Sequence, residues 1–343
     1  MKFCFTSIKL LFTIRTFFLY SDEISAATYE CNEDSLSKRM TFNSLPLIKS
    51  GITKAKQPNV LQMCIQGTRF PPIKKMKKPP CKRDHVYVYY GPGTSYEGVS
   101  NTMYSLRSCL DAKYTLNTIQ PDEVKEGLWT QNAVLFILPG GADLPYIEHL
   151  KPTGDAYLRK YVESGGKFLG FCAGAYYAGN FTEFAMGTDI EVSGSRALSF
   201  FPGTVKGPCL KKYDYQSNSG TIAASISVSS KLKPYNLKVF YNGGGYFVGA
   251  DALKDKGVEV IARYLMSPVK NKAAIIKRQI GKGCAILSSV HPEYSCMLLD
   301  QKDLHLKNVF HQIKEHEKQR VYLMKSLFKD LGLTVLPEYL NSV

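Results

Sequence analysis

Short, unbroken apolar runs punctuate the middle of this chain. Val86-Tyr87-Val88-Tyr89-Tyr90 is stopped by Gly91-Pro92-Gly93, and Ala133–Leu138 by Pro139-Gly140-Gly141. A third run, 167–170, follows the glycine pair Gly165-Gly166. Runs of this kind, apolar without alternation, predict strands buried on both faces. Between them apolar residues recur at helical spacing: Met103, Leu106 and Leu110 within 99–110, a second helix over 157–163, and a third opening at Ala173. Strands alternating with helices predict an α/β fold whose mostly parallel sheet is flanked by helices.

From about 187 to 265 the pattern changes. Ile222–Val228 and 238–241 read as strands, and Asn242-Gly243-Gly244-Gly245 as a turn before the strand 246–248. This stretch predicts an antiparallel or mixed insertion. Ala273–Ile280, the turn Gly281-Lys282-Gly283 and 284–290 predict a hairpin that delivers His291. Val309, Ile313, Leu323, Met324, Leu327 and Leu331 make 304–331 an amphipathic helical region, closed by Gly332. No internal repeat is visible.

Charge divides the chain. The 343 residues carry a net +15, yet 1–83 hold 15 Lys/Arg against 5 Asp/Glu, leaving 29 against 24 for the remainder. Three parts are expected: a basic, largely disordered extension over 1–83, a domain over 84–303, and a helical segment over 304–343 packed on it. Prolines flank the lysine cluster at 74–78, which reads as a linker without a recognition helix, so nucleic acid is not the expected partner. Residues 1–20 are apolar and acid-free but interrupted by Lys9 and Arg15. That excludes a spanning helix and leaves an unstructured start or a mitochondrial presequence. A cytoplasmic protein is expected, with the mitochondrion as the alternative. Nine scattered cysteines without CxxC or Cys/His spacing fit free thiols in a reducing compartment and predict no metal. Gly91-Pro92-Gly93-Thr94-Ser95 lacks both the phosphate-loop Gly-Lys-Ser/Thr and the third dinucleotide glycine, so no cofactor is expected. Because it ends the first strand, it remains a candidate to line the cleft.

Chemistry concentrates at the predicted strand ends, where parallel sheets collect functional groups. Cys172 lies in Gly170-Phe171-Cys172-Ala173-Gly174, a strand-to-helix turn with small residues on both sides. A nucleophile on such an elbow takes a strained backbone, which Gly170 and Gly174 accommodate. The helix start favours thiolate. The N–H of Ala173, with one from the Gly140-Gly141 turn, is positioned to receive an oxyanion. His291 is the histidine placed at a strand end, and Pro292 lets residues 291 and 293 project to one side. Cys172, His291 and Glu293 are therefore candidates for nucleophile, base and orienter. Tyr176 and Asn242 are candidates to line the pocket. Each motif alone also serves packing; their joint occurrence in this order carries the reading. His85, His149, His305, His311 and His316 lack such context.

Gly170–Gly174, Pro139-Gly140-Gly141 and His291-Pro292-Glu293 resemble the class I glutamine amidotransferases, with their flavodoxin-like sheet. Tyr89–Ser95, Leu138–Asp143, Gly170–Tyr177, Phe200-Phe201-Pro202-Gly203 and Tyr241–Gly245 narrow the resemblance to the N-terminal domain of fungal-type biotin–protein ligases, over about 84–335. The resemblance implies a Cys-His-Glu triad for acyl transfer or hydrolysis of a small amide or ester, or a silent binding or regulatory module beside a biotin ligase-related partner. Two departures bear on it. The chain stops where a ligase part would begin and contains no Gly-Arg-Gly-Arg-type biotin loop, so no ligase catalytic domain is expected. Amidotransferases usually carry Gln four residues after the nucleophile; here Tyr176 stands there, which removes glutamine as the evident substrate.

Overall fold

A computed structural model describes residues 82–230 and 233–337. The expectations for the extension and for residues 1–20 fall outside these. The chain divides into units Met1–Lys74 and Lys75–Val343, and all described residues belong to the second.

Five parallel strands form one half of the sheet. They are β1 (His85–Tyr89), β2 (Thr115–Ile119), β3 (Ala133–Leu138), β4 (Lys167–Phe171) and β13 (Gly283–Ser288), in the order β2-β1-β3-β4-β13. The unbroken apolar runs arise because both faces are covered. In β3, Leu135 and Ile137 pack into one core with Leu106 and Leu327, while Phe136 and Leu138 enter the other with Leu150 and Leu158. The helices on the first face are α1 (Tyr96–Cys109) and α7 (Glu317–Asp330). The second face holds α2 (Pro121–Glu126), α3 (Asp143–Leu150), α4 (Thr153–Glu163) and α5 (Ala173–Tyr177). Each fully buried aliphatic side chain contributes about 1.5–3 kcal/mol to this arrangement.

The other half is mixed. β12 (Ala273–Ile280) joins β13 as the predicted hairpin, and the sheet continues through β10 (Tyr246–Phe247), β7 (Phe201–Gly207), β5 (Gly179–Phe184) and β6 (Val192–Ser195). β5 and β7 run parallel, so this region is mixed rather than antiparallel throughout. A branch of β11 (Val258–Tyr264), β8 (Ile222–Val228) and β9 (Tyr235–Tyr241) leaves β12 antiparallel.

Two local expectations change. The helix after Cys172 is a single turn ending at Tyr177, because Gly179 already starts β5. The region 304–331 is two helices, α6 (Leu304–Lys314) and α7, broken at Glu315-His316. Spacing alone did not mark β2, α2 or α3, which are short and partly exposed. No helix among the described residues is long and apolar enough to cross a membrane.

Candidate active site

Strand β4 ends in a backbone that its sequence makes affordable. Cys172 has φ 46° and ψ −104°, in the positive-φ region that a residue with a side chain rarely enters. Its N–H donates to the Ser288 carbonyl at the end of β13 (2.8 Å), and its carbonyl accepts from Ala175 and Tyr176. The flanking glycines are required by closeness. A Cβ on Gly174 would lie 2.1 Å from the Leu138 carbonyl oxygen, and one on Gly170 2.8 Å from the Gly174 carbonyl oxygen. The N–H groups of Ala173 and Gly174, first in α5, have no acceptor within a helix.

His291 lies three residues past β13, with its N–H bonded to the Phe240 carbonyl (2.9 Å). Its Nδ1 is 2.7 Å from Glu293 Oε1, so Nδ1–H donates to the carboxylate. Nε2 is thereby the nitrogen left to face Cys172, whose sulfur is near enough to raise the imidazole's pKa. Glu293 is fully buried, and its Oε2 has no hydrogen-bond partner among the described residues. A buried carboxylate compensated through one imidazole favours imidazolium. Burial opposes the charge on His291, but Glu293 and Cys172 prevail and raise its pKa to about 10. Phe240 and Tyr294 meet the ring edge-to-face, with centroids at 5.7 and 4.9 Å, and hold its plane. The Cys172 thiol also lies 3.6 Å from the Asn242 carbonyl, a contact in which the thiol is the donor.

The loop carrying His291 and Glu293 is clamped from α1 and α7 by residues the sequence did not single out. Arg320 is fully buried and donates to the Pro292 carbonyl (2.8 Å) and to Ser105 Oγ (3.0 Å). Ser105 in turn donates to the Glu293 carbonyl (2.7 Å), and Asn101 Oδ1 accepts from the Ser295 N–H (3.1 Å). Glu317 closes the network by accepting from Arg320 and from Ser295. Burial works against the Glu317 charge, yet the Arg320 and Ser295 bonds hold its carboxyl below the usual range. The one sequence signal for this set is an Arg at a position that helical periodicity turns inward, three residues before Leu323.

A cavity of about 450 Å³ opens over Cys172 and is lined by Gly140, Gly141, Ala173, Tyr176, Asn242 and His291, among others. Ser95 also lines it, so the turn after β1 does reach the cleft. The two glycine turns interlock: Ala142 N–H donates to the Gly93 carbonyl, and Gly141, at φ 144°, leaves no room for a Cβ beside that carbonyl. Tyr176 contributes its ring; its hydroxyl is occupied by the Gly243 carbonyl (3.1 Å). A Cβ on Gly140 would come within 2.7 Å of His291 Cε1. Gly140→Ala is therefore expected to displace the imidazole and slow alkylation of Cys172 about tenfold or more, with little change in thermal midpoint. An unchanged rate would show that the glycine does not set the ring position.

The model of the biotin–protein ligase N-terminal family matches residues 84–342. A biotin–protein ligase of Schizosaccharomyces pombe is 32% identical over 256 residues, covering 73% of this chain and 38% of the ligase. The match thus spans little more than a third of that relative's length. An uncharacterized protein of Chlamydia muridarum is 36% identical over 188 residues, covering 54% of this chain and 71% of that protein. A glutamine amidotransferase structure from Thermotoga maritima aligns with 73% of this chain and 98% of its own, at 14% identity and a TM-score of 0.45, a likeness too slight to bear on chemistry.

Proposed function

Because this chain belongs to the biotin–protein ligase N-terminal family and sets a strained cysteine beside a buried His–Glu pair, we propose that it performs Cys172-dependent acyl transfer or hydrolysis on an amide or ester. The observation that carries this reading is the His291 Nδ1–Glu293 bond, which leaves Nε2 as the ring nitrogen available to the thiol.

In this reading the Cys172 thiolate attacks the substrate carbonyl carbon. A C–S bond forms and the carbonyl π pair moves to oxygen, facing the N–H of Ala173 and one from the Gly140-Gly141 turn. Collapse expels the amine or alkoxide, which takes the proton held on His291. Water, deprotonated by His291, or another nucleophile then releases the acyl group and restores the thiolate. Glu293 keeps the imidazole in one tautomer and stabilises its cation throughout. The Tyr176 hydroxyl is already bonded to Gly243, so it offers the substrate a ring face rather than the amide-binding polarity of Gln.

The test is an acyl-enzyme trap. Incubation with p-nitrophenyl acetate, quenched and read by intact mass, should add one acetyl group to the wild type and none to Cys172→Ala. Equal acetylation of the two would sink the proposal. A second reading, a silent module acting beside a biotin ligase, is favoured by the partial match to the fission-yeast ligase. Absence of any acyl adduct across a panel of esters would select it.

A further inference from the structure

The wall of the Cys172 cavity has a sign. Glu97, Asp214, Asp300 and Asp303 line it, and none of the four forms an ion pair among the described residues. Asp143 also lines it, but its charge is met by the buried Arg196, whose Nε and Nη2 donate to Oδ2 at 2.8 and 2.7 Å. No lysine or arginine is among the lining residues, although 84–343 carry more basic than acidic residues. Lys212, close in sequence to Asp214, lines a separate cavity. The imidazole of His291 is paired with the buried Glu293, so the four carboxylates set the local field.

A row of aromatic rings leads from the nucleophile to this rim. Tyr176 meets Phe184 at 5.6 Å, Phe184 meets Tyr213 at 5.7 Å, and Tyr213 meets Tyr215 at 4.8 Å, each edge-to-face. All four line the cavity, and Tyr215 is 47% exposed at its mouth. Ring faces beside unpaired carboxylates suit an organic cation, which draws on both. A carboxylate or phosphate ester would meet repulsion from the same groups.

We propose that the cleft selects a cationic acyl substrate, an amide or ester whose body carries an alkylammonium or guanidinium group set against the Tyr213–Tyr215 rings and the Asp214, Asp300, Asp303 and Glu97 carboxylates. This rests on the reading of Cys172 as nucleophile, and the experiment separates the two. Cys172 is modified with two methanethiosulfonates of similar size, one bearing trimethylammonioethyl and one sulfonatoethyl. The thiolate attacks the sulfenyl sulfur, an S–S bond forms, and methanesulfinate leaves with the electron pair. Cys172→Ala supplies the background from other thiols.

With rates divided by those of 2-mercaptoethanol, the cationic reagent should be favoured on the order of tenfold at low ionic strength. The preference should shrink in high salt and in the Asp214→Asn/Asp300→Asn double variant. Among p-nitrophenyl esters, 6-(trimethylammonio)hexanoate should exceed hexanoate, and hexanoate the adipate monoester, in kcat/KM. Rapid modification without charge preference, or a preference that survives the double variant, overturns the selection of cations and leaves the nucleophile standing. Modification of Cys172 at the rate of an ordinary thiol overturns the nucleophile and the inference with it.

Discussion

His291→Ala is expected to turn Cys172 into an ordinary thiol. In the wild type the raised His291 pKa, about 10, means that the imidazole holds a proton at neutral pH. The direction follows from the charge: below about pH 10 the protonated imidazole sets a positive charge beside the sulfur, and His291→Ala takes it away. A free thiol with pKa about 8.5 gains roughly 25-fold in thiolate between pH 7 and pH 9. The iodoacetamide rate of wild-type Cys172 should change by less than about threefold over that interval. His291→Ala should restore the steep rise and slow the reaction at pH 7 by about tenfold or more. A steep profile in the wild type that His291→Ala leaves unaltered would remove the basis for catalysis. Glu293→Gln keeps the shape but removes the charge that stabilises imidazolium, and should fall between the two.

Arg320→Ala should cost the most in stability. The side chain is fully buried, and its loss strips donors from the Pro292 carbonyl and Ser105 while leaving Glu317 without its cation. Removing one partner of a buried pair costs about 3 kcal/mol, lower in that range because the Glu317 side chain is 25% exposed. For a domain of this size that is about 8 °C in thermal midpoint. The loop holding His291 and Glu293 hangs from these bonds, so Cys172 alkylation at pH 7 should also slow at temperatures where the variant is still folded. Arg320→Lys, with a point charge in place of the fork, should recover part of the midpoint and little of the rate. A midpoint drop with an unchanged alkylation profile would make Arg320 a fold residue with no positioning role.

The inner strands of the parallel half were legible because burial writes itself into composition: β1, β3 and β4 are apolar without polar alternation, whereas the edge strand β2 is partly exposed and was not marked. The turn at Cys172 was legible because Gly170 and Gly174 flank it, and the close approach of backbone at both positions leaves no room for a Cβ. The short helices α2 and α3 were not, because one or two turns give too few positions for a period to show. The break at Glu315-His316 was hidden too, since the apolar spacing runs across it.

Local sequence determined where the candidate groups stand along the chain: a thiol after β4, an imidazole and a carboxyl two residues apart after β13, and glycines where backbone meets backbone at the turns beside them. Tertiary structure decided what surrounds them. Arg320, Ser105 and Asn101 reach the His291 loop from two helices more than two hundred residues apart in sequence, and the rim gathers Glu97, Asp214 and the Asp300/Asp303 pair from three segments. Such groupings depend on which elements a sheet brings side by side. No spacing along one segment encodes them, because the field and the rigidity at the site are sums over neighbours in space.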